Sequence, residues 1–312
     1  MIRKSGRSLT GLCNRETTMT MLEVNGLVKN FRHFSLGPVN LSLENGCAMG
    51  LVGANGAGKT TLFRSLIGTL RRNQGTVRVN GLEASAVSGV WRQQIGYIGD
   101  FTPLFNHWSG ARNLAAFSRF YPNWSKQRAT DLANRLNLDL KQSAKNYSTG
   151  QRTKLAIVIA LAHSPHLLLL DEPSTGLDPV SREAFMDLLF EQVGSEQVSM
   201  LYATHHISEI EQLADRLVFV SGGQIIRNEV KEDLSENWRR LSFRCENDLG
   251  QIPHVMEKRS EHHQYDLISD NANASIQYLN NKGVADIESS RLSIEKIAVQ
   301  ILKNSAMENG DV

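Results

Sequence analysis

The chain has 312 residues, 41% hydrophobic and 21% charged, with a formal net charge of +2 and an isoelectric point near 8.4. Those figures fit a globular protein with one large domain and room for a smaller one, and they carry no polyanion-binding signal, so nucleic acid is not an expected partner. The longest wholly apolar run, residues 155–162, falls far short of the ~20 residues a membrane-spanning helix needs, and three unpatterned cysteines (Cys13, Cys47, Cys245) suit a reducing compartment rather than a disulfide or zinc framework.

In chain order, the first twenty residues begin polar and basic, contain no apolar core that could act as a secretory signal, and read as a disordered tail. Residues 21–24 form a first expected strand, 39–43 alternate apolar and polar residues as a half-buried strand does, and Glu44-Asn45-Gly46 turns the chain into an apolar strand over 47–52. A glycine-rich loop follows, then a helix from 61 to 67 with apolar residues at helical spacing. Residues 75–81 read as a short strand ended by an Asn-Gly turn, and 95–98 as another buried strand. The composition then changes. Over about 101–165 the pattern predicts a helical subdomain, with helices at 113–120, 125–136 and from Ser148 to about Ala162, where Ser164-Pro165 stops it. Leu167-Leu168-Leu169-Leu170 reads as a buried strand running into Asp171-Glu172. An amphipathic helix over 181–193 and strands at 198–203 and 217–220 complete the series. Alternating strands and helices imply an α/β fold with a mostly parallel sheet covered on both faces. Beyond Ser221-Gly222-Gly223-Gln224 the chain becomes polar, and 234–312 reads as a small accessory domain whose role is not legible, after a main domain spanning 21–230.

Two stretches carry chemistry. Gly53-Ala54-Asn55-Gly56-Ala57-Gly58-Lys59-Thr60 matches the phosphate-binding pattern G-x-x-x-x-G-K-[ST] at every fixed position, and it lies between an expected strand and an expected helix. Such a loop curls backbone N–H groups around phosphates, and the helix N-terminus adds the positive end of its dipole. Lys59 would reach the β- and γ-phosphates and the Thr60 hydroxyl would ligate Mg²⁺, with Thr61 continuing the loop into the helix. Asp171 stands at the exposed end of an apolar strand, where a carboxylate can complete a Mg²⁺ shell, and Glu172 beside it could polarise an attacking water as general base.

With these two motifs in order, the segment from about 22 to 223 resembles the ATPase subunits of ABC transporters. Tyr147-Ser148-Thr149-Gly150-Gln151 resembles the family signature L-S-G-G-Q, departing at its first and third positions and matching at Ser148, Gly150 and Gln151. Ser174-Thr175-Gly176-Leu177-Asp178 resembles the D-loop, and Ala203-Thr204-His205 resembles the H-switch. The resemblance implies a P-loop NTPase with a mostly parallel central sheet, an antiparallel β subdomain and an inserted helical subdomain. It implies ATP and Mg²⁺ as ligands, and a dimer in which Ser148, Thr149, Gly150 and Gln151 meet the ATP held by the other subunit's Gly53 loop. Asp178 would face the partner, His205 would contact the γ-phosphate and hold Glu172 and the water in register, and Phe31 would stack on adenine, with Phe34 its near competitor. His206 has no assigned role. Where the family carries a glutamine after the strand at 95–98, this chain has Gly99-Asp100, so Asp100 stands as a candidate substitute ligand with a charge.

The short separation of Lys59 from Asp171 leaves no room for the long coiled coils of chromosome-structuring relatives. The segments Phe120-Tyr121-Pro122-Asn123-Trp124 and Leu292-Ser293-Ile294-Glu295-Lys296-Ile297 resemble bacterial exporter-type members. The resemblance therefore implies an ATP-hydrolysing subunit that powers a separate multi-spanning permease, in a homodimer or a paired assembly, peripheral on the cytoplasmic face of the cell membrane. A regulatory ATPase switch with no permease is the alternative.

Overall fold

Leucines 167 to 170 explain the layering of the molecule. Side chains alternate between the faces of a strand. Leu168 and Leu170 enter one hydrophobic cluster, while Leu167 and Leu169 enter the other. A strand buried on both sides belongs in the interior of a covered parallel sheet, and it lies there with a parallel partner along each edge. The computed structural model describes residues 19–85, 89–99, 103–194 and 198–308. Residues 1–18 of the expected tail and Asp100 lie outside the described residues. Thr20, assigned to the tail from sequence, already opens the first strand.

That strand, β1 (Thr20–Asn30), pairs antiparallel with β2 (Ser35–Glu44), and the chain then enters β3 (Ala48–Val52) and α1 (Lys59–Leu66). Next come β4 (Gln74–Val79), β5 (Leu82–Glu83) and β6 (Ile95–Ile98). The helical block holds α2 (Gly110–Phe117), α3 (Lys126–Arg135) and α4 (Thr149–Leu161). Each of the three has a serine N-cap: Ser109, Ser125 and Ser148 accept from the backbone N–H three residues on, which satisfies a donor the helix leaves orphaned. This cap places the start of α2 at Gly110, ahead of the 113 expected from apolar spacing. β7 (Leu167–Asp171), α5 (Pro179–Gly194), β8 (Ser199–Ala203), α6 (Ile207–Leu213), β9 (Arg216–Ser221) and β10 (Gln224–Val230) complete the main sheet and its cover. Its strand order is β10-β9-β3-β8-β7-β6, parallel except for the edge strand β10. A second sheet, β2-β1-β4-β5, is antiparallel. It shares a core with α1 and with one face of the main sheet, through Leu22, Leu41, Met49, Phe63 and Val218.

The segment after β10 is richer in regular structure than its polar composition suggests. It holds α7 (Lys231–Asn237), β11 (Arg239–Arg244), β12 (Val255–Glu261), β13 (Gln264–Ser269), α8 (Ala272–Asn281), β14 (Glu288–Arg291) and α9 (Ile294–Glu308). The four strands form a third sheet, β12-β13-β11-β14, with its own cluster around Leu241, Phe243, Leu267 and Leu279. The boundary expected at 234 does not coincide with a break in packing. Leu234, Trp238, Ile294, Ile297, Ala298 and Ile301 are buried in the same cluster as Leu217, Phe219 and Ile210 of the main sheet and α6. The chain thus leaves the core to build a small sheet and returns through α9 to cover β9. The signal for this return lies in the spacing 294, 297, 298, 301, which is one helical stripe.

Ile297 is fully buried, and its truncation leaves a cavity. Ile297→Ala should destabilise the whole protein by about 2–5 kcal/mol, read as a lower urea midpoint by circular dichroism. A transition in which the main sheet unfolds at its unaltered midpoint would contradict a shared core.

Candidate functional site

The functional loops gather at the C-terminal ends of the parallel strands, where open α/β sheets bind ligands. β3 leads into the glycine loop, β7 into Asp171 and Glu172, and β8 into Thr204 and His205. β8 lies between β3 and β7, which sets all three loops side by side.

The loop from Gly53 to Thr60 wraps its own lysine. Lys59 Nζ donates to the carbonyls of Gly53 at 2.7 Å and Ala54 at 3.1 Å. Ala54, Asn55 and Gly56 form an exposed tip, while Ala57, Gly58 and Lys59 are buried and Thr60 and Thr61 begin α1 half-buried. Gly58 has φ +106°, and a Cβ there would stand 2.9 Å from Phe34 Cζ. Only glycine takes that conformation without strain. The loop is braced from behind by a turn to which no role was assigned from sequence: Gly223 N–H donates to Ala57 O at 3.1 Å, and Gly37 N–H to Gly223 O at 2.7 Å. Burial pushes the Lys59 amine down from its ordinary value, and the charges of Glu172 and Asp171 oppose that shift. Glycine loop and acidic strand end are thus within electrostatic reach of each other.

Asp171 is 3% exposed at the end of β7. A carboxylate in such surroundings needs positive charge nearby. With the Thr60 hydroxyl at the start of α1, which packs against β7, it offers the hard oxygen donors that Mg²⁺ prefers. The residues present therefore fit that ion.

Glu172 follows with φ +52°, a left-handed conformation that costs a non-glycine residue about 1–3 kcal/mol. Its N–H donates to Ala203 O at 2.8 Å, carrying the β7–β8 ladder one step past the strand. Its Oε2 accepts from His205, 2.7 Å from Nδ1 and 3.3 Å from the backbone N–H. Placed as a bystander from sequence, His206 lies against its neighbour in the structure: the two imidazole centroids are 3.9 Å apart, and His206 N–H donates to Thr204 Oγ1 at 3.0 Å.

The signature-like residues stand at the start of α4, beside the loop that follows Glu172. Ser148 and Gln151 form a reciprocal capping box at the start of α4, so the Gln151 side chain is held by the helix end. Thr149 and Gly150 press against the loop after β7. A Cβ on Gly150 would stand 2.4 Å from Gly176 O, and Thr153 Oγ1 donates to Thr175 O at 3.1 Å. Asp178 caps α5: its carboxylate accepts from Ser181 N–H at 2.9 Å and Ser181 Oγ–H at 2.6 Å. Those two bonds hold it below the usual carboxylate range. Phe31 is 47% exposed at the β1–β2 turn, its centroid 6.2 Å from that of Phe34, which packs inward beside Gly58. Among the described residues no helix is long and apolar enough to cross a membrane.

Residues 36–175 match the family model described as ABC transporter. The chain is 33% identical over 207 residues to the ABC transporter ATP-binding protein NatA of Bacillus subtilis, covering 64% of this chain and 84% of that one. It is 33% identical over 230 residues to the daunorubicin/doxorubicin resistance ATP-binding protein DrrA of Streptomyces peucetius, covering 70% of this chain and 69% of that one. Among solved structures, it superposes on an ATP-binding subunit of an ABC transporter with a TM-score of 0.65 at 26% identity, over 70% of this chain and 92% of that one.

Gly58→Ala should keep the fold and lower the affinity for a nucleoside triphosphate about tenfold or more, since a strained loop costs about 1–3 kcal/mol. Titration with a fluorescent nucleotide measures it, and unchanged affinity would mean that the left-handed turn is dispensable.

Proposed function

The chain belongs to the ABC transporter family as an ATP-binding, ATP-hydrolysing subunit, and from that premise we propose that it drives a separate membrane permease in the export direction. The reading of its hydrolytic site rests above all on one observation, the 2.7 Å hydrogen bond between Glu172 Oε2 and His205 Nδ1 at the ends of β7 and β8. Lys59 releases its hold on the Gly53 and Ala54 carbonyls to neutralise the β- and γ-phosphates, and the loop N–H groups with the α1 dipole bind the remaining charge. Thr60 and Asp171 would hold Mg²⁺, which would supply positive charge to offset that of the phosphates. Glu172 takes the proton of the attacking water, and His205 fixes the carboxylate and contacts the γ-phosphate. Phe31, exposed at the β1–β2 turn, stacks on the adenine.

The face built by Ser148, Thr149, Gly150 and the loop to Asp178 serves a second ATPase subunit. Helix α4 presents its capped N-terminus there, a site suited to a γ-phosphate, and the close packing of Gly150 on Gly176 makes the two motifs one surface. The presence of every hydrolytic residue in this one chain favours a homodimer. As the ATPase of that pairing, the protein works from the cytoplasmic face of a membrane through its permease. The helical block, where Phe105 and Trp108 stack with centroids 4.3 Å apart and Phe105 is 48% exposed, is the docking surface. The export assignment draws on DrrA, named for drug resistance.

Glu172→Gln should bind ATP and dimerise while turnover falls by about 10²–10⁴-fold, the usual contribution of a general base. Wild-type turnover in that variant would remove Glu172 from the role. The same trapped variant, purified from its native cells in mild detergent with Mg-ATP, should bring down a multi-spanning membrane protein in stoichiometric amount. A dimer recovered without one would favour a regulatory ATPase.

A further inference from the structure

Beneath the exposed Glu172–His205 pair lies a buried carboxylate that the hydrolytic mechanism does not use. Glu209 is 5% exposed in α6, four residues after His205. Its Oε2 accepts from Ser174 Oγ–H at 3.1 Å and from the Tyr202 hydroxyl through a short hydrogen bond. Its Oε1 stands 3.6 Å from Arg182 Nε of α5. Ser174 and Tyr202 are each 1% exposed. One carboxylate therefore touches the loop after β7, strand β8 and helix α5, and its own helix is the one that follows His205.

We infer that Glu209 is a positioning residue for hydrolysis, pinning the loop that carries Glu172 to the helix that follows His205. The inference rests on the reading of Glu172 and His205 as the hydrolytic pair. Three physical points carry it. Burying a carboxylate is costly and gives little net stability over an apolar residue of the same size, so its contribution is to geometry. The Glu172–His205 contact is partly exposed, with His205 61% and Glu172 26% accessible, and a contact of that kind is weak by itself. Glu172 also holds a left-handed backbone, which persists only where the surroundings over-determine it. Its N–H is held by Ala203 O, its carbonyl accepts from Thr175 N–H at 3.2 Å, and between those residues Ser174 is tied to Glu209. Tyr202 is a constant donor in this arrangement, because burial and then the Glu209 charge push its hydroxyl far up from the ordinary value.

Ser174→Ala and Tyr202→Phe each remove one donor without altering charge, and Glu209→Gln removes the charge while keeping the shape. Steady-state ATP hydrolysis and thermal midpoints should be measured for these three, for the Ser174→Ala/Glu209→Gln double variant, and for Glu172→Gln in parallel. A positioning role lowers kcat by about 10–100-fold and leaves KM within about twofold, because a misplaced base affects the transition state more than binding. The Ser174→Ala/Glu209→Gln pair should lose less than the two single losses combined, since both changes weaken the same contact. If Glu209→Gln fails to fold, the other two single variants carry the test through the same kcat-against-KM split. Unchanged kcat in the folded variants, with Glu172→Gln inactive, would overturn the role of Glu209 alone. Losses that merely track the melting temperature would reduce it to a structural tie. Retained turnover in Glu172→Gln would overturn both this inference and the reading beneath it.

Discussion

A backbone hydrogen bond of 2.8 Å, from Glu172 N–H to Ala203 O, sets the geometry on which the site depends. It continues a parallel ladder in which Leu167 faces Ser199 and Asp171 faces Ala203. A slip of one residue would send Leu168 and Leu170 to the wrong core and move Glu172 away from His205 together, because the side-chain period of a strand is two. Leucine would take leucine's place on either face, so the penalty of such a slip falls on Asp171, which it would draw into the fully buried place of Leu170 or displace from its own. The register that fills two hydrophobic clusters is therefore the register that joins an acid to a histidine. Packing and chemistry are one constraint here.

The same economy appears around the glycine loop. Its conformation comes from local sequence, but its position comes from contacts that arrive from elsewhere: Phe34 against Gly58, and Gly223 against Ala57. The turn between β9 and β10 therefore supports a loop that lies far from it in the chain. On the opposite side, Gly150 and Gly176 approach so closely that no side chain fits between them, which joins the start of α4 to the loop after β7.

The sequence made some of this legible and left other parts hidden. Gly53 to Thr60 could be read because the pattern is local and each position has a backbone reason. The four leucines announced a buried strand, and Ser148 announced a helix start, as serine is a favoured N-cap. Glu209 could not be read: one glutamate on a seven-residue helix looks like an ordinary surface charge, and only tertiary contacts with Ser174, Tyr202 and Arg182 bury it. The stacking of His206 on His205 is likewise a matter of side-chain direction, which adjacency does not fix. The return of α9 to the core falls between these cases. Its stripe of Ile294, Ile297, Ala298 and Ile301 is plain in the sequence, but nothing local says which surface the stripe will cover. In particular, the polar strands in between, such as β12, where no residue is fully buried, mask the continuity of the domain.

That late return has a consequence for how the protein is made. β9 precedes the small third sheet in the chain, yet the helix that covers it follows that sheet. At roughly 5–20 residues per second, synthesis takes on the order of ten seconds to travel from β9 to α9. During that interval the nascent chain carries an uncovered apolar face around Leu217 and Phe219, the kind of surface that chaperones bind. The nucleotide half of the molecule is thus made first and finished last, and its maturation is timed by the ribosome's progress through the small third sheet.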